Sequence, residues 1–287
     1  MAFIGIKRVL LRAKLRKVHK HYKSDPIQGE RCYIQREGKA TIEVLFYYPK
    51  IRENMPVFIQ VHGGGWLGCD AVDDDLYCAR LAEELNAFVV NLNYKRIYEE
   101  GFPYQEEETV DVVKWLKANA RQMMIDPDRI VISGGSAGGH IVAGAAIMLS
   151  QANITVAGQL LEVPFLDFLA EGFKDLQLLN MMFELYPSKL PLEDPVISPG
   201  SQASDEMLKK VAPTCVIVCG RDPLQHQGEH YAKRLQANGK LLELKKYENG
   251  YHGFNTDKAE EKPEQFKLRE ECFRYKVRIT KQMFGVK

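Results

Sequence analysis

From Val57 onward the chain repeats one pattern: a short apolar run of strand length, then a stretch with apolar residues at helical spacing. The runs Val57-Phe58-Ile59-Gln60-Val61 and Ala87-Phe88-Val89-Val90-Asn91-Leu92 are apolar almost throughout, as strands covered on both faces are. Between them Leu76, Ala79, Leu81, Ala82 and Leu85 recur at the period of a helix. Val110, Val113, Trp115, Leu116 and Ala120 mark the next helix, and residues 129–133 the next strand. A small-residue helix over 137–149 follows, then strands over 156–163, 214–219 and 241–246 and helices over 225–238 and 263–283. This alternation predicts an α/β fold, a mostly parallel central sheet with helices on both faces. Residues 31–35 and 41–48, joined by Glu37-Gly38-Lys39, read as an antiparallel hairpin at one edge.

At 287 residues with 45% apolar content, the chain can bury a large core as one domain and needs no disulfide or metal to fold. Its 39 basic and 38 acidic residues nearly cancel, so nothing global points to nucleic acid. The asymmetry is local: residues 1–23 carry eight Lys or Arg side chains before the first acid, Asp25. Charges interrupt this segment too often for a secretory signal, and no run reaches the roughly 20 apolar residues of a membrane span. Ile4, Leu11, Leu15, Val18 and Tyr22 recur at helical spacing, which fits an amphipathic helix. Such a helix either touches an anionic membrane or packs on the body with its lysines solvated, and the second reading is preferred. The six cysteines show no metal-type spacing and read as reduced thiols of a cytoplasmic protein. From Pro164 to about 213 the rhythm breaks into a proline-rich insertion around an apolar stretch, the composition of a lid or of a core helix with irregular connections.

The chemistry concentrates at strand ends. In Gly134-Gly135-Ser136-Ala137-Gly138 a serine stands between a strand and a helix, where a sharp turn lifts its hydroxyl above the sheet edge. The amide of Ala137 then opens a helix N-terminus, a place that favours an anion. His62-Gly63-Gly64-Gly65-Trp66 directly follows another strand, and glycine amides there, Gly64 and Gly65, join Ala137 as donors for an oxyanion. Asp222 and His252 follow the next strands in the order serine, acid, histidine. The catalytic expectation is therefore Ser136 as nucleophile, His252 as base and Asp222 as its orienting acid. Asp167 is the rival acid, and His62 and His140 are read as bracing and packing residues. Trp66, Phe165, Met182, Phe183 and Phe254 are the candidates for an apolar substrate pocket, although such clusters more often form core.

The motifs HGGGW at 62–66, GGSAGG at 134–139, DPL at 222–224 and HGF at 252–254 resemble, in order and spacing, those of the hormone-sensitive lipase-like family of α/β-hydrolases. The resemblance runs over roughly residues 40–285. It implies an eight-stranded sheet, a small helical cap and carboxylesterase activity on short- to medium-chain acyl esters through an acyl-enzyme, with no cofactor. It also implies cap helices over 1–30 and a catalytic domain over 31–287, the 164–213 insertion completing the cap. The partner expected is a small acyl ester, with homodimerisation an added expectation for folds of this kind. An amidase or deacetylase on the same scaffold, or a ligand-binding pseudo-enzyme, are the alternative functions. Three departures mark this chain. Gly135 stands where many relatives carry Asp, Tyr94-Lys95-Arg96-Ile97-Tyr98-Glu99 replaces Tyr-Arg-Leu-Ala-Pro-Glu, and Gln225 and His226 replace charged residues.

Overall fold

The computed structural model describes residues 26–173, 177–255 and 262–286; of the cap helices expected over 1–30, residues 1–25 lie outside the described residues. Among the described residues, eight strands form one sheet: β1 (Glu30–Arg36), β2 (Lys39–Tyr47), β3 (Met55–Val61), β4 (Phe88–Asn93), β5 (Ile125–Gly135), β6 (Gly158–Glu162), β7 (Thr214–Arg221) and β8 (Leu241–Tyr251). Their order is β1-β2-β4-β3-β5-β6-β7-β8. The edge hairpin β1–β2 and the β2–β4 pair are antiparallel, and every other pair is parallel. Six longer helices among the described residues are interleaved: α1 (Asp75–Leu85), α2 (Tyr104–Ala118), α3 (Ala137–Gln151), α4 (Gln177–Leu185), α5 (Gln225–Ala237) and α6 (Pro263–Met283).

The period of two along each strand divides the core. Val57, Ile59 and Val61 of β3, Ile130 and Ile132 of β5, and Val216 and Val218 of β7 point to the face covered by α2, α3 and α5. Phe58, Val131, Cys215, Ile217 and Cys219 alternate to the other face, against Leu81 and Leu85 of α1 and Phe273 of α6. Each such side chain taken out of water contributes roughly 1.5–3 kcal/mol, which is why the apolar runs had to be central. All six cysteines are unpaired.

Two elements outrun the sequence expectation. β5 begins at Ile125, which pairs with Met55, and β8 continues through Glu248-Asn249-Gly250 to Tyr251, which pairs with Arg221. The second extension delivers His252 directly off a strand end. Because β3, β5, β6, β7 and β8 run parallel, the segments that follow Val61, Gly135, Glu162, Arg221 and Tyr251 all leave the same rim. No helix among the described residues is long and apolar enough to cross a membrane.

Candidate active site

Ser136 occupies the turn between β5 and α3 with φ 54° and ψ −118°, a left-handed backbone that a residue with a Cβ rarely adopts. Three hydrogen bonds hold it there. Its amide donates to the carbonyl of Glu162 at 2.9 Å, and its own carbonyl accepts from His140 at 3.1 Å and Phe165 at 3.2 Å. The turn demands close approach: a Cβ on Gly138 would stand 2.1 Å from the carbonyl oxygen of Val61. Gly135 is different, for a Cβ there would meet nothing nearer than the Glu162 carbonyl oxygen at 3.8 Å. Space therefore does not require glycine beside the serine.

The hydroxyl of Ser136 lies 2.8 Å from Nε2 of His252. On the far side of the ring, Nδ1 lies 2.9 Å from Oδ2 of Asp222. The carboxylate is buried while the imidazole is 37% exposed, so the ring meets both the acid and an approaching substrate. Oδ1 of Asp222 accepts from the amide of Leu224 at 2.8 Å, which fixes the carboxylate plane. A proton can thus pass from Ser136 to His252, with Asp222 stabilising the imidazolium that results.

The loop after β3 lies beside the serine. Gly64 has φ 109°, and it is pinned as Leu67 and Gly68 donate to its carbonyl. Nδ1 of His62 donates to the Gly63 carbonyl at 2.7 Å, and the Tyr94 hydroxyl donates to the same oxygen at 3.2 Å. The His62 and Tyr94 rings stack at 4.3 Å. Arg96, from the segment that departs from the expected motif, donates to the carbonyls of Cys69 and Tyr94 and to Oδ1 of Asn93. Among the described residues, no loop or turn hydrogen bond engages the amides of Gly64, Gly65 or Ala137, which leaves three donors beside the serine.

Comparison with known proteins agrees with this fold. The family model described as alpha/beta hydrolase fold matches residues 58–256. The chain belongs to the α/β-hydrolases. It stands among the hormone-sensitive lipase-like members that its motifs resemble. An esterase of Fusarium pseudograminearum is 27% identical over 259 residues, covering 85% of this chain and 80% of the relative. Carboxylesterase NlhH of Mycobacterium tuberculosis is 28% identical, over 78% of this chain and 75% of that one. Among solved structures, a hyperthermophilic esterase from the archaeon Pyrobaculum calidifontis superimposes with a TM-score of 0.74 at 26% identity, covering 98% of this chain and 93% of that one.

In this hydrolase a cavity of about 730 Å3 opens on Ser136 and His252 and includes Gly64 and Gly65 in its wall. The expected apolar pocket residues lie elsewhere. Trp66, Phe165, Met182 and Phe254 are buried, Phe183 is half-buried, and none of the five lines this cavity. Trp66 and Phe165 instead form an aromatic nest with Phe102, Phe168 and His140. Periodicity marks a side chain as buried, not which void it faces. His140 is fully buried there, as a packing residue would be. Asp167 caps its own turn, accepting from the amide of Leu169 at 2.8 Å. The insertion holds α4 and two single turns, Pro199–Gln202 and Asp205–Leu208.

The cavity's other wall, formed by Asp74, Tyr77, Glu162, Phe273 and Lys276, is not among the residues expected from sequence. One signal was available. Glu162 ends the otherwise uncharged run Gly158-Gln159-Leu160-Leu161, and a carboxylate in a strand covered on both faces must have a partner. That partner, Lys276, lies 114 residues away on α6, 2.9 Å from Oε2. Among the described residues, no group of three or more His, Cys, Asp or Glu side chains is arranged to hold a metal ion.

Proposed function

We propose that this hydrolase is a serine carboxylesterase that works through an acyl-enzyme, with Ser136, His252 and Asp222 as its catalytic triad. The observation that carries the reading is the unbroken chain of contacts from Ser136 Oγ to His252 Nε2 at 2.8 Å and from His252 Nδ1 to Asp222 Oδ2 at 2.9 Å. Ser136 Oγ attacks the ester carbonyl as His252 takes its proton. The tetrahedral oxyanion is received by the amides of Gly64, Gly65 and Ala137, donors of a kind worth about 3–4 kcal/mol each in the transition state. His252 returns the proton to the leaving alcohol, and water repeats the sequence on the acyl-enzyme. The names of the relatives, esterase and carboxylesterase, support an ester rather than an amide. Residues 1–30 and the insertion over 164–213 are proposed to cap the site.

Nitrophenyl esters of increasing acyl length, run beside the matching anilides, test the reading. The wild type should turn over the shorter esters and leave the anilides nearly untouched, and Ser136→Ala should abolish turnover with the fold intact. Faster cleavage of the anilides would make the chain an amidase, and activity persisting in Ser136→Ala would move the nucleophile elsewhere.

A further inference from the structure

Away from the triad, the cavity that opens on Ser136 is walled by charge. Gln60 of β3, Asp74 ahead of α1, Tyr77 of α1, Glu162 at the end of β6, and Phe273 and Lys276 of α6 converge on it. The Lys276–Glu162 pair has side chains only 3% and 7% exposed. Nζ of Lys276 also stands 4.4 Å from the centre of the Tyr77 ring. Oδ2 of Asp74 accepts from Nε2 of Gln60 at 3.0 Å. Gln60 is itself 7% exposed, and its Oε1 has no hydrogen-bond partner among the described residues. Gly135 lines the same space, so no side chain at 135 screens Glu162 from it.

This wall is poorly matched to an alkyl group. A hydrocarbon lying on it would strip water from Asp74 and leave Oε1 of Gln60 without a partner, at about 1–3 kcal/mol for each polar group left unsatisfied. Hydroxyl groups both donate and accept. They can donate to Asp74 and Gln60 Oε1 and accept from Lys276. The cavity volume, about 730 Å3, exceeds what a small acyl group fills. The leaving oxygen must also meet His252, which lines the same space.

We infer that the hydrolase acts on small acyl esters of a sugar or other polyol, whose free hydroxyls are read by Asp74, Gln60 and the Glu162–Lys276 pair. In the step concerned, Ser136 Oγ bonds to the acyl carbon, the bond from that carbon to the polyol oxygen breaks, and the polyol departs with the proton from His252. Water then releases the carboxylic acid. The inference rests on the esterase reading above.

The test compares two primary acetates of similar ring size on the full chain: 6-O-acetylglucose, and cyclohexylmethyl acetate, which lacks hydroxyls. The wild type should favour the sugar ester by at least about tenfold in kcat/KM, the worth of one or two retained hydrogen bonds. Asp74→Leu should lower that ratio at least about tenfold, whereas Asp74→Asn, which keeps an acceptor, should retain most of it. The ratio cancels any common loss from folding. Nitrophenyl acetate run alongside separates the two readings. Failure to hydrolyse it sinks the esterase reading itself. Turnover of nitrophenyl acetate with no preference for the sugar ester, or a ratio unmoved by Asp74→Leu, overturns the polyol inference alone.

Discussion

Oε1 of Glu106 on α2 lies 3.4 Å from Nδ1 of His140 on α3, and neither side chain reaches solvent. Nε2 of His140 donates to the Ile197 carbonyl at 2.8 Å, so Nδ1 is the bare nitrogen of a neutral ring. Burial pushes the Glu106 carboxyl up to about 8 and the His140 imidazole down to about 4. Between those values Glu106 is protonated and the His140 ring is neutral, so the pair buries no net charge.

The sign of the pH dependence follows. Glu106 binds its proton more tightly folded, at about 8, than unfolded, at 4.5. Its contribution to stability is therefore whole below pH 4.5 and is lost as pH rises toward 8. Glu106→Gln holds an uncharged amide at every pH. The variant-minus-wild-type difference in Tm should grow more positive from about pH 4.5 to about pH 8, and a difference constant with pH would show that Glu106 is ionised in the fold.

Asp222→Asn should lower kcat by about 10⁴-fold, because the amide favours the wrong imidazole tautomer. The fold should survive, since the acceptor for the Leu224 amide remains. Steady-state kinetics beside a thermal melt separate the two effects, and a loss under about tenfold would remove Asp222 from the triad.

Gly135 and Gly138, on opposite sides of Ser136, should behave oppositely. Gly138→Ala forces a Cβ to 2.1 Å from the Val61 carbonyl oxygen and should destabilise by about 2 kcal/mol or more. Gly135→Ala meets only the Glu162 carbonyl oxygen at 3.8 Å and should melt within about 1 kcal/mol of wild type. Equal destabilisation of the two variants would contradict the packing described for this turn.

Arg96 ties the segment after β4 to the loop that carries Gly64 and Gly65, through the carbonyls of Cys69 and Tyr94 and the side chain of Asn93. A lysine cannot reproduce that fork. Arg96→Lys should lower kcat about 10- to 100-fold with KM little changed, as expected when oxyanion donors lose alignment. A rise in KM alone would give Arg96 a substrate-binding role instead.

Much of this molecule is legible in its sequence. The apolar runs containing Phe58, Val89, Val131 and Ile217 had to be central strands, because only a sheet covered on both faces buries them. Chain order then brought Ser136, Asp222 and His252 to one rim, since strands joined by helical crossovers are parallel. What stayed hidden depends on contacts between distant elements. A lysine on an amphipathic helix reads as solvated, and only the packing of α6 against β6 turns Lys276 inward to Glu162. Aromatic residues erred the other way: Trp66 and Phe165 suit a pocket by chemistry but fill the nest around His140.

The left-handed backbone of Ser136 also makes enzyme activity a reporter of the folded population. A nonglycine residue stays in that conformation only while β5, α3 and the Glu162 carbonyl hold it there. Relaxing the turn would swing the hydroxyl away from His252 and turn the Ala137 amide aside in the same movement. Partly loosened molecules should then be silent rather than sluggish, so the rate lost on gentle heating would count molecules that have left the native state.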